Sequence, residues 1–383
     1  VIEGHVAPGF EAVAQAFRSN FIERADPGAA FAVWRGDECL VDLRGGIADE
    51  GRPWRADTLM PVFSGTKGLV AACALVLVDR GLLSLDRPVA DYWPEFAAGG
   101  KDRVLVRHVL SHRSGLPALL QTVGHDDIRA SAAMEDALAA QPLWADPDAF
   151  ACYHPLTIGW LMGGLVRRID GRSVGRFFRE VIAGPLNLDA WIGLPAEHLH
   201  RTGRVRCGKD FVALGSGTQP AEASLLATAI WANPPLFPDY RIPWNDPDHM
   251  TAEIPGAGGI ADARSMARFY ACLVRGETRG RSAILSPATL SLANAELSRF
   301  TDPFTGDPMA FGAMFAIQTA RRRFGPPADA FGHGGAGQSL HGAWPGKGIG
   351  FSYVMRELRS DPEATRSRVL LDALWSAIDE GGV

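Results

Sequence analysis

Apolar residues change their spacing along this chain, and the changes mark out its elements. Phe10, Val13, Phe17 and Phe21 recur at helical spacing and predict an amphipathic N-terminal helix that closes near Pro27-Gly28. Ala29–Trp34 and Cys39–Leu43 read as strands joined by the turn residues Arg35-Gly36-Asp37-Glu38, a hairpin. Gly68 to Val78 is apolar on every face, through Leu69, Val70, Cys73, Leu75, Val76 and Leu77, which predicts a fully buried helix. Gly81 is placed to cap its C-terminus. From Leu83 to Pro255 the pattern is mostly helical and broken by proline-rich loops, with helices over Val104–Leu110, Ala130–Ala140 and Thr157–Ile169. Asn233–Pro255 has no period and reads as a long loop, either functional or a tolerated insertion.

A helix over Ala263–Val274 follows, then strands at Ala313–Ala320, Gln338–Trp344 and Ile349–Met355. A closing helix carries Val369, Leu370, Leu374, Trp375 and Ile378, begun by Asp361-Pro362 as cap and first-turn proline. Strands at both ends with helices between predict an α/β (α+β) fold. One antiparallel sheet would be built from the two termini and flanked by helices, with an inserted, mostly helical lobe. The expected division is residues 1–82 with 256–383 as the sheet domain and 83–255 as the helical domain.

Composition narrows the function. Hydrophobic residues make up 47% and charged residues 21%, as in an ordinary globular protein. A net charge of -5 without long basic runs argues against nucleic acid as a partner. Arg321-Arg322-Arg323, the densest basic cluster, reads as a solvated strand end. No apolar stretch reaches membrane-spanning length, so no membrane partner is expected. Five cysteines without C-x-x-C suggest neither a zinc site nor a disulfide framework, and point to a reducing compartment. With no signal-peptide pattern at the start, a cytoplasmic location is expected, a trimmed leading segment aside. His108 and His112 are spaced i, i+4 but lack the glutamate of H-E-x-x-H. They read as ordinary hydrogen-bonded histidines, and no cofactor is expected.

The chemistry concentrates in Ser64-Gly65-Thr66-Lys67, at the head of the buried helix, where Lys67 lies one turn after Ser64 and on the same side. The chain has only four lysines, Lys67, Lys101, Lys209 and Lys347. The last three sit beside glycine and polar or turn residues, as surface lysines do. A desolvated lysine can become a base, which an arginine cannot. Tyr153, in Cys152-Tyr153-His154-Pro155, is either a second proton carrier or a packed tyrosine. Phe331-Gly332-His333-Gly334-Gly335-Ala336-Gly337 leaves its backbone bare. It reads either as a flexible loop or as a strand approached by substrate, one of whose N–H groups would complete an oxyanion hole with that of Ser64.

Together these motifs give the chain a resemblance to the serine β-lactamase-related superfamily, and most to its family VIII carboxylesterases. Ser64-Gly65-Thr66-Lys67 matches the S-x-x-K motif, Tyr153-His154-Pro155 the tyrosine motif, and His333-Gly334-Gly335 the K-T-G motif. Val109–Pro117 and Pro255–Gly259 match supporting stretches, and the order holds over nearly the whole chain. The resemblance implies an acyl-serine mechanism on a small-molecule ester. Ser64 attacks, Lys67 and Tyr153 share the proton transfers, the Ser64 and Ala336 amides hold the oxyanion, and long acyl chains are poor substrates. Two departures bear on the branch. Pro155 stands where related β-lactamases have the asparagine of Y-x-N, and His333-Gly334 replace the lysine and threonine of K-T-G. Both remove groups suited to an acylamino or carboxylate substituent and favour a neutral ester, with weak β-lactam hydrolysis as a side activity. A protonated His333 would partly restore the lost cation. The rival readings are a β-lactamase or a penicillin-binding or D-amino-peptidase-type enzyme, and more remotely a non-catalytic binder. Trp144, Trp244 and the Asn233–Pro255 loop are candidate pocket walls. The oligomeric state is not legible.

Overall fold

The computed structural model describes residues 2–212, 225–238, 242–276 and 283–380. The N-terminal hairpin forms as the pattern predicts, Gly28–Arg35 pairing antiparallel with Glu38–Asp49. Its open edge is taken by Ile349–Met355 from the far end of the chain. Beyond that the sheet continues antiparallel through Leu340–Trp344, Phe331–Gly334, Ala316–Ile317, Pro308–Phe311 and Ser298–Thr301. Ile2–Val6 closes the other side against Glu38–Asp49. The sheet is therefore the expected antiparallel one, built from both termini.

Three details differ from the sequence pattern. Ile2–Val6, Ser298–Thr301 and Pro308–Phe311 are strands that no alternation announced; two of them border the sheet, where only one neighbour imposes a pattern. The strand expected over Ala313–Ala320 shortens to Ala316–Ile317, because Met314 takes a positive φ of 68° and turns the chain. The closing helix runs Thr365–Glu380, so Asp361-Pro362 precedes it by a turn. The Asp361 carboxylate still accepts from the N–H groups of Glu363 (3.0 Å) and Thr365 (2.7 Å).

Helix Thr66–Asp79 is buried from Thr66 through Leu77. It ends in a Schellman turn: Gly81 has φ 68°, its N–H donates to Val78 O, and Leu82 N–H donates to Leu77 O. Its N-terminus emerges from strand Met60–Phe63, which belongs to a second, three-stranded sheet with Gly259–Ala261 in the centre and Ala190–Ile192 beyond. That small sheet joins the strand before the nucleophile to both the middle and the C-terminal part of the chain. The Asn233–Pro255 stretch holds a 3-10 turn, Pro243–Asn245, and a short helix, Pro247–Thr251, started by the Asp246 carboxylate. Its residues 239–241 lie outside the described residues. Among the described residues no helix is long and apolar enough to cross a membrane.

Candidate active site

Ser64 sits half-buried at the turn between strand Met60–Phe63 and helix Thr66–Asp79, immediately after Phe63, whose φ of 48° is unusual for a non-glycine residue. The Thr66 hydroxyl secures this turn by donating to Phe63 O (2.5 Å) while accepting from Gly259 N–H (2.7 Å). Lys67, one helical turn on, is fully buried. Its Nζ lies 3.1 Å from Ser64 Oγ, 2.7 Å from Pro155 O and 2.7 Å from Gly256 O. Burial with no nearby anion holds its pKa well below the usual lysine value. A neutral amine has two N–H donors and one lone pair. Two carbonyl oxygens occupy the donors, and the lone pair is left for the Ser64 hydroxyl proton.

Those carbonyls are brought together by a backbone contact between two distant glycines. A Cβ on Gly159 would lie 2.1 Å from Gly256 N, so the helix beginning at Thr157 can approach Pro255-Gly256 only with glycine at that position. Pro155 thus contributes its carbonyl as a lysine partner, a role that its side-chain chemistry does not reveal.

Tyr153 places its hydroxyl 2.9 Å from Ser64 Oγ and its ring 4.9 Å from Lys67 Nζ. Burial raises its pKa, only partly offset by the Ser64 hydrogen bond and by Arg323. The phenol is therefore a proton donor in the free protein. Its backbone N–H is held by the Asp302 carboxylate (2.7 Å), which also accepts from Phe304 N–H and Thr305 N–H. Behind the ring, His112 stacks at 4.8 Å between centroids, and its Nδ1 accepts from His154 N–H (2.9 Å). His108 Nδ1 accepts separately from Leu105 N–H. Each of the two histidines thus has its own hydrogen-bond partner, and the stretch Val109–Pro117 backs Tyr153 through the His112 ring.

The third motif arrives on strand Phe331–Gly334. Gly335 packs so tightly on the strand before the nucleophile that a Cβ there would lie 2.4 Å from Val62 O and 3.2 Å from Phe63 Cβ, which brings the third motif against the segment that leads into Ser64. Among the described residues nothing accepts from the Ser64 or Ala336 backbone N–H. His333 is buried, its Nδ1–H donates to Gly334 O (2.8 Å), and its Nε2 has no partner. Burial first, then the basic groups around it, push its pKa well below the usual histidine value. His333 is therefore neutral and does not restore a cation.

Trp244 is buried edge-on against Phe63 at 6.0 Å, so it backs the nucleophile strand and is not an open pocket wall. Trp144 joins the cluster of Tyr153, Trp231, Phe150 and Phe304 beside the site. Lys101, expected on the surface, is fully buried, with Nζ donating to the carbonyls of Ala98 and Gln141. An open depression of about 980 Å³ lined by Arg204, Arg206, Lys209 and Asn245 lies elsewhere and includes none of Ser64, Lys67 and Tyr153.

Residues 13–374 match the family model described as Beta-lactamase. The chain belongs to the beta-lactamase family. Within this family, it is 32% identical to the esterase/beta-lactamase LipL of Mycobacterium tuberculosis over 93% of this chain and 83% of that protein. Its fold is similar to that of a family VIII carboxylesterase (TM-score 0.87, 34% identity, 98% of this chain and 100% of that one). It is equally similar to a penicillin-binding protein homolog from Caulobacter crescentus (TM-score 0.86, 35% identity, 98% and 100%). Both the expected family and the expected fold are thereby shown.

Proposed function

We propose that this beta-lactamase-family chain hydrolyses short-chain carboxylic esters through an acyl-serine intermediate formed on Ser64. The observation that carries this reading is Lys67, whose two N–H donors are occupied by Pro155 O and Gly256 O, leaving its lone pair for the Ser64 hydroxyl. Lys67 takes the Ser64 proton as Oγ attacks the ester carbonyl. Charge on the carbonyl oxygen is held by the Ser64 and Ala336 amides. Tyr153, protonated and 2.9 Å from Oγ, gives its proton to the departing alcohol oxygen. The Lys67 ammonium returns a proton to the phenolate. Water then enters where the alcohol left, passes a proton to the same pair, and releases the acid with Ser64 restored.

His333 and Gly334 take the place of the lysine and threonine of K-T-G as wall residues. The reading as an esterase is supported by LipL and by the family VIII carboxylesterase structure. A penicillin-binding or D-amino-peptidase-type activity is the second reading, supported by the Caulobacter crescentus homolog. We assign the sheet domain to residues 1–82 with 256–383 and the helical domain to 83–255, and place the protein in the cytoplasm on the strength of its five unpaired cysteines.

The deciding experiment compares wild type and Ser64→Ala on a short-chain p-nitrophenyl ester and a chromogenic cephalosporin. Fast ester turnover with little cephalosporin turnover, both lost in Ser64→Ala, is the expected result. Dominant cephalosporin turnover would move the chain to the β-lactamase side. Ester turnover surviving in Ser64→Ala would remove Ser64 from the mechanism.

A further inference from the structure

The third motif has lost its lysine and hydroxyl, yet a cation stands at its wall. Arg323 comes from the turn between strands Ala316–Ile317 and Phe331–Gly334 and lays its guanidinium on Gly334. A Cβ on Gly334 would lie 2.3 Å from Arg323 Nη2, 2.6 Å from Cζ and 3.1 Å from Nε, so any side chain there would evict the arginine. The glycine at the second position of the motif therefore vacates the space that Arg323 fills.

The turn carrying Arg323 is pinned. Arg322 N–H donates to Thr319 O (3.0 Å) and Gly325 N–H to Arg322 O (3.1 Å). The Gln318 amide donates to Gly325 O and Pro327 O, and Trp344 Nε1–H to Phe324 O (2.6 Å). Its neighbour Arg321 is neutralised by Asp307 at 2.8 Å. Arg323 itself has neither an ion-pair partner nor a hydrogen-bond acceptor among the described residues. The residue is exposed while its guanidinium rests against Gly334, and its charge reaches both Tyr153 and His333. With Lys67, Tyr153 and His333 all neutral, Arg323 supplies the positive pole of the site.

We propose that Arg323 is a specificity-determining residue that binds a carboxylate carried by the alcohol portion of the ester. The placement on the alcohol side follows from Tyr153, which delivers its proton to the departing oxygen: its ring lies 6.3 Å from that of His333, and Arg323 lies on Gly334, the next residue of that strand. A carboxylate a few bonds beyond that oxygen meets the guanidinium fork, which pairs with it through two parallel N–H donors. The proposal rests on the esterase reading and narrows it. Loss of the motif lysine does not by itself select neutral esters, because an arginine from another loop occupies the same wall.

The test is the ratio of kcat/KM for 4-acetoxybenzoate to that for its methyl ester, measured in wild type, Arg323→Met and Arg323→Lys. The ratio should fall about tenfold or more in Arg323→Met, the change set by one charge-assisted contact, and recover partly in Arg323→Lys. Raising ionic strength from about 0.01 M to about 1 M should compress the ratio in wild type and leave it flat in Arg323→Met. An unchanged ratio in Arg323→Met, including the case where both rates drop together, overturns the proposal. Wild type turning over neither ester, or Ser64→Ala turning over both, would instead overturn the esterase reading beneath it.

Discussion

Two lysines in this protein are fully buried, and only one of them faces a hydroxyl. Lys67 and Lys101 each donate to two backbone carbonyls, Pro155 O and Gly256 O for the first, Ala98 O and Gln141 O for the second. Burial lowers the pKa of both, well below the usual value for Lys67 and less for Lys101, whose amine is shielded from water but lies closer to the surface. The difference is the third direction. At Lys67 it points to Ser64 Oγ at 3.1 Å, whereas Lys101 has the face of Phe96, 5.3 Å from its Nζ. A desolvated lysine thus becomes a base only where its lone pair meets a transferable proton. Elsewhere the same arrangement is a clasp between two loops.

The largest expected effect that tests this contrast is at Lys67. Lys67→Arg replaces the neutral amine with a guanidinium that cannot lose its proton, and should lower ester kcat/KM roughly ten-thousandfold, with folding checked by circular dichroism. Retained turnover would make Lys67 a clasp like Lys101. Next is Asp302→Ala, which frees the Tyr153 backbone without touching the phenol. It should lower kcat about a hundredfold and leave KM nearly unchanged. A rise in KM alone would show that Asp302 shapes binding and does not position Tyr153.

The pH profile gives a smaller but signed effect. Lys67 must be neutral, so kcat/KM should be present above its lowered pKa and fall as pH drops through that value, below the ordinary lysine range. Tyr153 must be protonated, and its raised pKa keeps the alkaline fall above the ordinary tyrosine value of about 10. A single rise centred at the ordinary lysine pKa would contradict the burial argument. The smallest effect belongs to Lys101→Met. Activity should stay within about threefold of wild type, and stability should drop by about 1–2 kcal/mol in urea denaturation, because two carbonyls lose their donor. A large loss of turnover there would erase the distinction between the two lysines.

Much of this site was legible because its chemistry is local. Ser64 and Lys67 share one helical turn, Tyr153 precedes a strongly periodic helix, and the glycines around His333 mark a backbone left bare for close approach. What stayed hidden is carried by groups that no local pattern exposes. Pro155 and Gly256 act through their carbonyls, 88 and 189 residues from Lys67 in sequence. Asp302 is one aspartate in a short turn. Arg323 sits in a run of three arginines that reads as solvated surface, and only the folded loop separates it from the paired Arg321. Lys101 was misread for the same reason: Gly99, Gly100 and Asp102 look like surface, while its cover comes from Gln141 across the fold. The fold itself was readable where strands are long and paired on both sides, as at Gly28–Arg35 and Ile349–Met355, and unreadable at the short border strands.

The pairing of Gly28–Arg35 with Ile349–Met355 also has a consequence for how the protein is made. More than three hundred residues separate the two strands, so a ribosome needs roughly 15 to 60 s between finishing the first and finishing the second. Throughout that interval one edge of the N-terminal hairpin, carrying Phe31 and Val33, stays without its neighbour and open to pairing with other nascent chains. That edge therefore needs shielding during translation until the second strand arrives.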